Sequence, residues 1–106
     1  VSASSFFRIL VEPKGNTDKF VARCLDTGFV SVGKSYESAA EQMLDILRTE
    51  IVHALKTNNV SSLFRPVPQN LQQRWEELTR EYPPKTVSIF PEGGQSASVA
   101  EAPRAA

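Results

Sequence analysis

The side chains that could do chemistry are few and dispersed. Two-metal phosphoryl transfer needs several carboxylates converging near one point. In this chain Glu12 ends an apolar run, Asp18 and Asp26 fall in turn-forming stretches, and Glu37, Glu41 and Asp45 share the polar side of a helical pattern. Acids placed in this way read as a solvated surface. His53 is the only histidine, so one chain offers neither a catalytic pair nor a histidine-rich metal site. Near the end of a helix and three residues after Glu50, it reads as a complement to the helix dipole. Cys24 is the only cysteine, which excludes an internal disulfide. It lies in a strand-like run where a free cysteine behaves as a small buried hydrophobe. No serine sits in a nucleophile elbow, and Gly93-Gly94 lacks the lysine and the following helix of a phosphate loop. No catalytic, cofactor-binding or metal-binding residue is therefore assigned, and the expectation is a protein that is not an enzyme and uses no cofactor.

Composition limits the partners in the same direction. With 106 residues, 41% of them apolar, and a formal net charge of zero, the chain suits one small domain with no global attraction to nucleic acid or an anionic membrane. A local basic patch could come from Arg65, Arg74, Arg80 and Lys85, but Glu76, Glu77 and Glu81 interleave with them and cancel the field over a Debye length. No run approaches the roughly 18 apolar residues of a membrane span, and no signal segment opens the sequence, so no membrane association and a cytoplasmic location are expected.

The elements that must position these residues begin with residues 6–12, FFRILVE, a strand apolar on both faces. PKGNTD follows as a hairpin loop, residues 20–25 return antiparallel, and Asp26-Thr27-Gly28 turns the chain into a third strand over residues 29–32. Ser35 can cap the first turn of a long helix, with Glu37 near the positive end of its dipole. Tyr36, Ala39, Ala40, Met43, Leu44, Leu47, Ile51 and Leu55 form its apolar stripe, and Asn58-Asn59 closes it. The two prolines of VSSLFRPVP make a connector. Leu71, Trp75, Leu78 and Tyr82 then mark a second, shorter helix that Pro83-Pro84 stops. KTVSIF, residues 85–90, reads as a fourth strand, reached by a long crossover that suits a parallel neighbour. The predicted class is α+β: a three-stranded antiparallel meander plus a C-terminal fourth strand, with one long helix packed on one face and a second, shorter helix. Residues 1–5 are expected to fray, residues 6–91 to form the domain, and residues 92–106, poor in large apolar groups, to be a disordered tail.

The order strand, Gly28 turn, short strand, Gly33, Ser35 cap, paired Ala39 and Ala40 and long helix resembles the HicB-like antitoxin domain, over roughly residues 6–55. Thr27 and Ser38 stand where members of that family usually carry a proline and an acidic residue. The resemblance implies a partial ribonuclease-H-like fold and a non-catalytic, protein-binding role in which a small ribonuclease toxin is bound and occluded. Two alternatives stand beside it: an orphan oligomeric scaffold with no toxin, and a residual nuclease. A nuclease of that fold commonly places an acid inside its first strand, and FFRILVE has none before Glu12. Members often carry a separate DNA-binding segment. Here the Trp75 helix runs into a double proline and a strand, with no second helix for a helix-turn-helix, which argues against DNA binding.

Association with a second copy follows from the two-sided first strand. If the short helix packs beside the long one, the opposite sheet face keeps Leu10 and Val21 open to water, and such a patch marks a contact with another chain. Ile46 and Val52, outside the main helical stripe, are the other candidate protein contacts. The expectation is a homo-oligomer, as a dimer, because two-fold closure is the commonest symmetry.

Overall fold

The structure, a computed structural model, describes residues 6–103. β1 (Phe6–Pro13), β2 (Phe20–Cys24) and β3 (Val30–Gly33) form the expected meander. Gly15 and Gly28 take positive φ (56° and 84°) in the two turns, the left-handed region in which a side chain would be strained. α1 (Tyr36–Lys56) starts where Ser35 Oγ accepts from the Ser38 N–H (3.0 Å), and Asn58, at φ 55°, lies in the left-handed conformation just past its end. Gly33 makes the tight approach of α1 to β3 possible, since a Cβ there would sit 2.5 Å from the Ala39 nitrogen. A short 3₁₀ turn (Val60–Leu63) leads to α2 (Gln69–Glu81), then β4 (Lys85–Ser88) and β5 (Ser96–Glu101).

The sheet order is β3-β2-β1-β5-β4, with every pair antiparallel except β1 and β5. Two expectations are corrected here. The parallel neighbour of β1 is β5 rather than residues 85–90; those residues contribute β4 at the sheet's edge, antiparallel to β5. The disordered tail expected over residues 92–106 contains the β5 strand, which runs beside β1 from Phe6↔Ser96 to Val11↔Glu101. The fraying expected of residues 1–5 lies outside the described residues, as do residues 104–106. β5 escapes a composition test because SASVAE is made of small residues, and its ordering is offset by its ladder and by large neighbours rather than by its own side chains.

Both faces of the sheet are covered, by different helices. Phe7, Ile9 and Val11 of β1, Ala22 and Cys24 of β2, and Ala97 and Val99 of β5 pack against Ala39, Met43, Leu44, Leu47, Ile51 and Ala54 of α1. Within the predicted stripe Leu55 is the exception, 59% exposed, and Ala54 takes its place. On the other face Leu10, Leu25 and Ala100 form a second cluster with Trp75, joined by Val67, Leu71 and Leu78. The two helices lie on opposite faces of one sheet, three layers in all, so the condition on which the open face depended, the short helix packing beside the long one, is not met.

The connector carries the chain from one face of the sheet to the other. The Arg65 N–H donates to the Asp26 carbonyl (2.9 Å), pinning the chain beside the turn that ends β2, and Phe64 stacks on Phe7 with ring centroids 5.6 Å apart. Beyond Arg65 the chain lies on the opposite face, where Val67 and Leu71 join the Trp75 cluster.

Candidate protein-interaction site

Of the acids weighed for chemistry, Glu12 and Asp26 join elements. Glu12, 15% exposed at its side chain, lies between Arg23 of β2 (3.6 Å) and Arg74 of α2. Asp26 accepts from the Arg8 backbone N–H (2.9 Å) and from Arg8 Nη2 and Nε (2.7 and 3.3 Å), while Arg8 Nη1 donates to Gln72 Oε1 on α2 (2.8 Å). The hydrogen bonds to Asp26 hold the Arg8 guanidinium above its ordinary pKa despite desolvation. This fork ties β1, the β2 turn and α2 together, and charge-assisted bonds of this type are worth about 1.5–3 kcal/mol each when they must be replaced by nothing. Glu37, Glu41 and Asp45 are exposed on α1, and among the described residues no group of three or more histidine, cysteine or acidic residues could hold a metal ion. Cys24 is buried, and burial pushes its thiol pKa up. His53 is exposed and shares a shallow depression with Phe29, Glu50 and Arg65. Arg74 pairs with Glu12, and Lys85 opens the edge strand β4.

Of the four candidate contacts, two are inside the monomer. Leu10 is 1% exposed beneath Trp75, and Val21, between Glu12 and Val32 in the ladder, is 6% exposed. The open face inferred for them is closed at Leu10, where Trp75 of α2 packs on it. Ile46 is half-buried and Val52 is 40% exposed, so these two remain at the surface of α1.

Two surfaces went unrecognised in the sequence. One is a groove of about 260 Å³ where the sheet extends past α1. Ala40, Leu44, Val87 and Val99 give it an apolar floor, and, among the described residues, Glu37, Glu41 and Glu101 stand around it with Lys85 as the one cation. The four-residue spacing of Glu37 and Glu41 on one helix was a visible signal, but Glu101 joins them only through β5. The other surface is the β3 edge, where Val30 is 50% and Val32 37% exposed. Neither valine could be told from a core residue without knowing where the sheet stops. No helix among the described residues is long and apolar enough to cross a membrane. The chain matches no family model, no curated protein and no solved structure.

Proposed function

We propose that this domain works by binding other proteins rather than by catalysis, with the role implied by its resemblance to HicB-like antitoxins: occlusion of a small ribonuclease toxin in the cytoplasm. The groove between α1 and β4 carries this reading. Its apolar floor can seat a partner's aliphatic or aromatic side chain, and, among the described residues, three carboxylates against one lysine favour a partner that is basic around that anchor. The β4 edge itself is short and begins with Lys85 behind two prolines, so the partner fills the groove with side chains rather than adding a strand. Self-association belongs to the same proposal, since a protein that occludes a partner gains contact area by presenting two copies.

The test is co-expression with a small basic ribonuclease toxin encoded beside this gene. Wild type is expected to restore growth and to co-purify with the toxin, and Glu37→Lys combined with Glu41→Lys to lose both while remaining folded. Rescue undiminished by the charge reversal would remove the groove from the interface. The scaffold reading is favoured by a separate observation, the exposed valines of β3: self-association with no toxin bound would select it. RNA or DNA cleavage with magnesium or manganese that disappears on Glu12→Gln or Asp26→Asn would overturn the non-catalytic reading.

A further inference from the structure

The two edges of the sheet are built differently. β4 is blunted by Pro83, Pro84 and Lys85, devices that keep edge strands from pairing with another chain. β3 is less guarded: VSVG holds no proline and no charge, with Lys34 following only beyond Gly33, its register with β2 is uninterrupted, and both its valines are exposed.

The ladder tells which backbone groups face the open edge. The Cys24 N–H donates to the Phe29 carbonyl (3.0 Å), so that pair is hydrogen-bonded, and alternation makes Ala22↔Ser31 and Phe20↔Gly33 the next such pairs. On the other side of β2 the Leu25 N–H donates to the Arg8 carbonyl (2.9 Å), which gives the complementary alternation. The N–H and C=O groups of Val30 and Val32 therefore point away from β2, along the same edge on which their side chains are exposed.

We infer that β3 seats a two-fold dimer, in which it pairs antiparallel with β3 of a second copy of this chain, Ser31 on the axis and Val30 of each copy opposite Val32 of the other. Only outward-facing residues can pair, which restricts the axis to a few positions. Centring it on Val30 would set Val32 against Gly28, before the strand begins, and centring it on Val32 would set Val30 against Lys34. The Ser31 axis alone places valine against valine at every outward position and joins two five-stranded sheets into one. On the α1 side, Ala39 accepts from Ser31 Oγ (3.0 Å) and Glu50 shares a depression with Phe29, so the half-buried Ile46 between them lies over β3 and flanks the axis. A four-residue strand covers less than the roughly 800 Å² per partner of a standard interface, and this helical flank supplies further area. The dimer is accordingly of micromolar strength.

The inference rests on the self-association proposed above, and the experiment separates the two. Light scattering during size exclusion of wild type is expected to give twice the chain mass. Val30→Lys and Val32→Lys, at exposed positions, should give the monomer mass with unchanged far-UV circular dichroism, whereas Thr86→Lys on the β4 edge should stay dimeric. A register test accompanies them: under mild oxidation an equimolar mixture of Val30→Cys and Val32→Cys chains should cross-link, and each alone should not, because like positions across the axis are diagonal and beyond disulfide reach. Cys24, being buried, does not interfere. A monomeric wild type overturns both the dimer and the self-association. A dimer unaffected by either lysine variant overturns the β3 assignment and leaves self-association through another surface.

Discussion

At the scale of single residues, the part-buried polar groups of β1, Arg8 and Glu12, join elements. Arg8 shows the pattern: an arginine in the middle of a buried strand is tolerable because Asp26 and Gln72 occupy three of its nitrogen donors. Cys24 shows the opposite case, a titratable group held neutral by burial. Its folded pKa lies above the ordinary value of 9.0, so at alkaline pH the native state holds a proton that the unfolded chain has released. The stability this contributes is complete below pH 9.0 and is lost as pH rises through the raised folded value. Urea midpoints measured upward from neutral pH should fall more steeply for wild type than for Cys24→Ala, with the difference opening above pH 9.0; parallel curves would show that the thiol is not desolvated.

At the scale of elements, β5 is the strand on which the second half of the chain depends. It is paired on both sides, parallel to β1 and antiparallel to β4, and contributes Ala97 and Val99 to one core cluster and Ala100 to the other. Its small side chains are what both helices require: Ala100 lies opposite Leu10 in the ladder and in the cluster beneath Trp75, where a larger group would push α2 from the sheet. A chain truncated after Gln95 should therefore lose its native state, although the lost segment looks dispensable by composition. Trp75, the only tryptophan, reports this directly, and its fluorescence should shift to the red as it becomes solvated. Unchanged emission and an unchanged melting curve in the truncated chain would show that β5 is not part of the folded unit.

At the scale of the whole molecule, one sheet serves two cores, and β1 is common to both: Phe7, Ile9 and Val11 face α1, and Leu10 faces α2. A strand shared in this way couples the two layers, because loosening either exposes the other's backing. Leu47→Ala, at a fully buried site under α1, is expected to cost about 2–5 kcal/mol. Trp75→Ala, on the opposite layer, is expected to cost about 3–5 kcal/mol. For Leu47→Ala the transition followed by Trp75 fluorescence should coincide with that followed by far-UV circular dichroism. Separate transitions would mean that the α2 layer unfolds independently.

By itself the sequence determined the elements whose signals are local. The β1–β3 meander follows from its turn residues, α1 from the Ser35 cap and the spacing of Ala39, Met43, Leu47 and Ile51, and α2 from the Trp75 stripe and the Pro83-Pro84 stop. The tertiary structure decided what depends on partners distant in the chain. Trp75 could have packed beside α1 or across the sheet, and periodicity fixes which side of a helix is apolar without fixing what it meets. That choice put Leu10 inside and left the β3 valines and the acid-rimmed groove at the surface. SASVAE carries no local signal strong enough for a strand, because its stability comes from Ile9, Leu10 and Trp75 rather than from its own side chains. Whether Val30 and Val32 are core or surface depends on the sheet ending at β3, a fact of topology that no residue in the chain encodes alone.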